Sequence, residues 1–224
     1  MVQTEVWKKL KEELNAKGVT LVAVSKKKPV SDIQEVYDLG QRDFGENYVQ
    51  ELVDKQPQLP TDIKWHYIGH LQTNKVKYVA PFVHLIHAVD SMKLLSEINK
   101  QAVKSHRVID VLLQLHIADE ETKFGLSKEE LIELLEQYSA QKTELSNVRI
   151  CGLMGMATFT DDLEQVRKEF GNMKNIFTFA KDSYFMTDAT FDTCSMGMSG
   201  DYEMAVEEGS TLVRIGSMIF GERN

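Results

Sequence analysis

What most constrains this chain is an alternation. Eight short apolar or period-two runs, Leu21–Val24, Asp43–Gly45, Trp65–Gly69, His84–Ala88, Ile109–His116, Val148–Met154, Phe191–Ser195 and Leu212–Ile215, are separated by stretches of helical spacing. The latter include Ile33/Val36/Tyr37, Leu94/Leu95/Ile98, Leu131/Leu134/Leu135 and Val166/Phe170/Met173/Phe177, where apolar side chains recur every three or four residues. Strand and helix in strict alternation make a parallel sheet covered by helices, either doubly wound or closed. An amphipathic helix (Val6, Leu10, Leu14) precedes the first strand, and nine residues follow the last. That helix can stand where one after strand eight would, and closure leaves no bare sheet edge. The expectation is therefore an α/β chain folded as one (β/α)8 TIM-type barrel domain over residues 1–224, with an additional N-terminal helix. Helix starts are predicted at Ser31, at Ser91, and at Ser127 with Glu130 three residues on, a capping box.

Composition narrows the function. Lys and Arg number 26 against 34 Asp and Glu, a net charge of −8, which supplies no broad cationic face for nucleic acid. The opening MVQTEVWKKLK has no apolar run behind a basic start, and no stretch reaches spanning length, so neither export nor a membrane is expected. The two cysteines, Cys151 and Cys194, make no disulfide framework and read as small buried hydrophobes. A reducing cytoplasm fits, and nothing demands an obligate partner chain, so a monomer is expected.

Barrel sites form where strands end in βα loops. Here those ends read Ser25-Lys26, Glu46-Asn47, Gly69-His70, Met154, Ser195-Met196-Gly197-Met198-Ser199 and Arg214-Ile215-Gly216-Ser217. The Gly/Ser turns after strands seven and eight suit a phosphate on backbone N–H groups, or are ordinary turns. On position alone, Lys26 is either a solvated member of a three-lysine run or an amine desolvated enough to attack a carbonyl. Arg214, inside an apolar strand, needs a carboxylate or a ligand acceptor. The methionines at 154, 156, 196 and 198 read as core or pocket wall. No metal site is expected: His66 and His70 would lie about 13 Å apart along a strand, and His84 and His87 would face opposite ways. Dinucleotide, P-loop and serine-hydrolase signatures are absent.

Taken together, the strand ends carry a resemblance. Ala23-Val24-Ser25-Lys26 with Pro29, Phe44 to Glu51, Trp65 to Lys75, Ser195 to Ser199, Val213 to Ser217 and Ile219-Phe220-Gly221, with Lys123-Phe124-Gly125 and Gly152-Leu153-Met154, closely resemble the pyridoxal phosphate homeostasis protein family. Its single domain is similar to the barrel domain of alanine racemase. The resemblance implies that Lys26 holds pyridoxal 5'-phosphate as an aldimine, that Ser199, Gly216 and Ser217 hold its phosphate, and that Arg214 faces the pyridine nitrogen. Asn47 and His70 are placed near the cofactor, and Ser195 supports the phosphate loop. No residue is assigned a catalytic role. A guanidinium disfavours a proton on the ring nitrogen, so the implied protein holds the cofactor in vitamin B6 homeostasis and passes it to apo-enzyme acceptors, without strong catalysis. The alternatives are a pyridoxal-phosphate-dependent amino-acid racemase and a Schiff-base aldolase.

Overall fold

A computed structural model describes residues 2–118 and 124–221; Lys123 lies outside them. Strands β1 (Thr20–Val24), β2 (Asp43–Glu46), β3 (Lys64–Tyr67), β4 (Leu85–Val89), β5 (Ile109–Gln114), β6 (Val148–Met154), β7 (Thr193–Ser195) and β8 (Leu212–Ile215) pair in sequence order into a closed parallel barrel. Closure is made by β1 on β8, with Leu21 opposite Val213 and Val22 opposite Arg214. Every predicted strand is present. The run Trp65–Gly69 stops being strand at Tyr67, and Ile109–His116 stops at Gln114.

The helices α1 (Thr4–Ala16), α2 (Val30–Asp38), α3 (Val49–Lys55), α4 (Val76–Val79), α5 (Met92–Lys104), α6 (Lys128–Ala140), α7 (Leu163–Tyr184), α8 (Tyr202–Glu207) and α9 (Ser217–Phe220) form the outer layer. Helix α1 buries Trp7, Leu10 and Leu14, and Gln3 donates its N–H to the Ile219 carbonyl beside α9. It thus covers the seam after the last strand, as expected, although Trp7 rather than Val6 is its deepest residue near the N-terminus. The Trp7 indole donates to Gln41 Oε1 at 3.1 Å, and Gln41 Nε2 donates to the Leu21 and Asp43 carbonyls, so α1 is pinned to β1 and β2. Ser91 caps α5, and Ser127 with Glu130 forms the capping box of α6. Ser31 caps nothing. Helix α2 begins two residues earlier, at Val30, with extended Pro29 in place of Ser31 as its N-cap, because proline's fixed φ suits the extended conformation an N-cap takes.

Two apolar layers result. The large one lies between strands and helices, and a smaller one (Val22, Leu85, Ala88, Leu112, Cys151, Met154, Leu212) fills the barrel. Both cysteines are buried and unpaired, and burial pushes their thiols up to about 12. Barrel interiors are ordinarily packed with branched side chains. Here part of that space is taken by buried polar side chains, among them His66, His87, Ser195 and Arg214.

Candidate functional site

At the C-terminal ends of the strands a cleft of about 1020 Å³ is lined by Lys26, Asn47, Ser199, Arg214, Gly216 and Ser217. Six of the seven residues named from the sequence therefore meet in one place. The seventh, His70, does not line the cleft. Because β3 ends at Tyr67, His70 sits in the following loop, 43% exposed, where it stacks on Phe124 at 4.5 Å and lies 3.7 Å from Asp90.

Lys26 is set by its backbone neighbours. The chain turns sharply after β1: Lys27 has φ 61, and Lys28 N–H returns to the Ser25 carbonyl at 3.0 Å. That left-handed residue is costly for lysine, and the Lys27 N–H bond to Glu51 Oε1 at 2.5 Å opposes the cost. A buried cluster beneath it went unrecognised in the sequence. Lys55, 6% exposed, donates to Glu46 Oε1, Glu51 Oε1 and the Ser25 carbonyl, and Ser25 Oγ donates to Glu46 Oε1. Burial pushes the Glu46 carboxyl up, with Lys55 and Ser25 pulling against it. The spacing of Glu51 and Lys55, four apart on a helix, is the one signal that pointed there. Lys28, the neighbouring amine, is tied to the Phe220 and Gly221 carbonyls.

Asn47 is held by Tyr67, whose hydroxyl donates to the Asn47 and His70 carbonyls at 3.0 and 3.2 Å. The approach of the two loops requires Gly69, since a Cβ there would lie 2.2 Å from the Asn47 carbonyl oxygen. Asn47 Oδ1 is buried with no partner among the described residues. A buried acceptor left without a donor costs about 1–3 kcal/mol, which a bound molecule bearing a hydroxyl would offset.

Ser199 Oγ accepts from the Gly216 N–H at 3.3 Å, joining the turns that follow β7 and β8. A Cβ at Gly216 would crowd the Val24 carbonyl at 3.0 Å, so the backbone itself walls the cleft. The N–H groups of Ser217 and Met218 open α9 and have no partner inside it, as at any helix start. Met156 and Met198 line the cleft, whereas Met154 and Met196 are core.

Arg214 enters from beneath. Nη1 donates to the Ser195 carbonyl at 3.0 Å and to Ser195 Oγ at 2.5 Å, and Nη2 donates to the Gly155 carbonyl at 3.0 Å. Of the two partners expected, a carboxylate or a ligand acceptor, the carboxylate is absent from its hydrogen bonds among the described residues, where neutral oxygens stand instead. Burial lowers the guanidinium to about 10, so it stays cationic at neutral pH. The Ser195 carbonyl and hydroxyl thus both hold Arg214. Behind Ser195 the polar contacts continue: its Oγ lies 3.3 Å from His87 Nδ1, His87 Nε2 lies 2.9 Å from His66 Nδ1, and His66 Nε2 lies 3.1 Å from Asp43 Oδ1. Burial keeps His87 well below its usual range. One proton arrangement satisfies all three links with neutral imidazoles: Ser195 donates to His87, His87 to His66, and His66 to the Asp43 carboxylate.

The expectation about histidines is corrected in part. His84 and His87 do not diverge; both rings contact His66, with centroids 5.3 and 5.2 Å away. His84 precedes β4, where the alternation of a strand does not govern direction. Asp43, His66 and His84 come together as potential metal ligands, a grouping across strands that spacing along the chain does not reveal.

The comparisons agree with this geometry. Residues 4–224 match the family model of the alanine racemase N-terminal domain. The pyridoxal phosphate homeostasis protein of Aquifex aeolicus is 42% identical over 204 residues, 91% of this chain and 86% of that protein. The Escherichia coli K12 protein of the same name is 40% identical over 210 residues, 92% and 86% of the two chains. Among solved structures, PipY of Synechococcus elongatus without PLP is 33% identical with TM-score 0.89, covering 97% of this chain and 99% of that one. PipY with PLP bound gives 32% and 0.86 over the same shares. Alanine racemase of Streptomyces coelicolor, 16% identical with TM-score 0.72 over 94% of this chain and 56% of that one, shares the fold. A closed barrel, a lysine and an arginine at its mouth, and relatives of this similarity together show that the chain belongs to the pyridoxal phosphate homeostasis protein family.

Proposed function

We propose that this chain binds pyridoxal 5'-phosphate covalently at Lys26 and holds it as a carrier in vitamin B6 homeostasis, working as one barrel domain in the cytoplasm. The observation that carries the reading is the convergence of Lys26, Asn47, Arg214 and the Ser199/Gly216/Ser217 turns on one cleft. When bound, the cofactor would supply an aldehyde able to condense with the Lys26 amine, with release of one water. The chain's own groups do the rest. The turns at Ser199 and Ser217 would present hydroxyls and N–H groups to a phosphate, Asn47 Oδ1 would accept from a hydroxyl of the bound molecule, and Arg214 would face the ring nitrogen.

Arg214 argues against strong catalysis. A fixed cation, held by neutral oxygens, would disfavour a proton on a ring nitrogen placed before it and so would weaken the ring's use as an electron sink. Retention, with exchange to apo-enzyme acceptors through the open cleft, suits that electrostatics better than racemisation. No helix among the described residues is long and apolar enough to cross a membrane.

The test is the absorption spectrum of the purified protein, followed by borohydride reduction and mass mapping. Colour and a pyridoxyl adduct on Lys26 are expected, both lost in Lys26→Ala. A colourless protein that takes up no cofactor would overturn the reading. Steady L- to D-alanine turnover, abolished by the same substitution, would replace the carrier with a racemase.

A further inference from the structure

Opposite the cleft, at the N-terminal mouth of the barrel, three side chains from successive strands converge. Asp43 opens β2, His66 is the third residue of β3, and His84 stands immediately before β4. One ligand atom from each lies within 4.8 Å of the other two, and His66 Nε2 is 3.1 Å from Asp43 Oδ1. A tetrahedral ion with bonds of 2.0–2.1 Å keeps its ligand atoms roughly 3.3 Å apart. Small side-chain rotations therefore close this cluster on one ion.

We propose that Asp43, His66 and His84 form a binding site for a divalent transition metal of the zinc class. Two imidazoles and a carboxylate are a nitrogen-rich set that selects zinc, cobalt or nickel over magnesium or calcium, which prefer all-oxygen shells. The three positions are braced by the sheet, with Asp43 opposite Lys64 and the His84 N–H bonded to the Trp65 carbonyl. His84 is exposed while His66 is buried, so an ion would sit half-enclosed and keep a coordination position toward solvent.

The interior contact of His66 is an independent observation that points the same way. A metal-binding imidazole characteristically gives its second nitrogen to a buried partner, which fixes the ring and the tautomer. His66 Nδ1 has such a partner in His87 Nε2 at 2.9 Å, and His87 is wholly buried. With a metal on His66 Nε2, the Nδ1 proton is donated to His87 Nε2. His87 then donates from Nδ1 to Ser195 Oγ, 3.3 Å away, which also accepts from Arg214. The chain of contacts thus runs in either direction with every imidazole nitrogen satisfied and both rings neutral. The inference stands apart from the cofactor reading, since none of the three ligands lines the cleft.

The experiment titrates the full-length, metal-stripped protein with Co(II), followed by its visible d–d absorption, and with Zn(II) by calorimetry. One ion per chain at micromolar concentration is expected. Asp43→Asn and His84→Asn leave the His66–His87 contact in place, and each should weaken binding about tenfold or more. Imidazole nitrogen NMR of the unmutated protein keeps the test decisive should a variant misfold. Zn(II) must shift His66 and His84 and leave His106 and His116 unmoved. The proposal is overturned if the wild type takes up no ion at these concentrations, if Asp43→Asn and His84→Asn both bind unchanged, or if the shifts fall on His70, His106 or His116 in place of His66 and His84.

Discussion

Arg214 and Ser195 are one unit, because the hydroxyl accepts a hydrogen bond from the guanidinium on one side and meets His87 on the other. Ser195→Ala removes that hydroxyl from a wholly buried position and leaves both neighbours short of a partner. We expect a loss of about 1–3 kcal/mol in urea unfolding, which a surface serine replacement such as Ser146→Ala would not reproduce. His87 gives a pH signature whose sign is fixed by burial. Its folded-state pKa lies well below 6.5, so below that pH the unfolded chain binds a proton that the native state refuses. Stability is therefore full above about pH 6.5 and falls as pH drops toward the folded pKa, at up to about 1.4 kcal/mol per pH unit. Glu46, shifted upward, has the opposite sign, so comparison with His87→Gln isolates the histidine. Unfolding curves at several pH values should show a shallower acid slope in the variant, and an unchanged slope would refute the assignment. The roles of these residues were only partly legible. Arg214 announced itself as a charge in an apolar strand, but a histidine pair meeting across β3 and β4 depends on register, which a sequence does not display.

At the scale of elements, periodicity was enough to locate all eight strands, because a barrel imposes short apolar runs between amphipathic helices at every step. What it missed follows from local chemistry. Pro29 moved the start of α2, and the end of β3 at Tyr67 carried His70 away from the cleft. The turn between β7 and α8 was readable as Gly/Ser-rich, yet its geometric demand was not. Gly197 has φ +97, and a Cβ there would stand 2.6 Å from the Ala205 Cβ. Gly197→Ala should therefore combine left-handed strain with a steric push on α8, costing about 2 kcal/mol or more. Since Ser199 lies two residues on and bonds Gly216, the same change should weaken cofactor retention measurably by equilibrium dialysis. A Cβ at Gly200 would meet nothing within 4 Å, and the backbone there is not left-handed, so Gly200→Ala serves as the tolerated control.

For the molecule as a whole, closure of the barrel builds the cleft from loops after β1, β2, β3, β6, β7 and β8, so that residues from both ends of the chain meet there. No fragment of the chain holds Lys26 and Arg214 in place unless β1 pairs with β8. Binding there must accordingly be linked to global unfolding. A ligand that binds only the native state adds RT ln(1 + [L]/Kd), about 2.7 kcal/mol at a hundredfold excess over Kd. For a chain of this length each kcal/mol raises Tm by roughly 2–4 °C, so saturating pyridoxal phosphate should raise it by roughly 5–10 °C. If Lys26 carries the cofactor as proposed, Lys26→Ala removes that link but keeps the Ser199, Gly216 and Ser217 turns and Arg214, and should retain only a small part of the rise. Scanning calorimetry of both proteins with and without the cofactor reads this directly. Equal shifts in the two would mean that the cofactor is held by the turns and Arg214 without Lys26, and no shift in the wild type would place its binding outside the folded barrel.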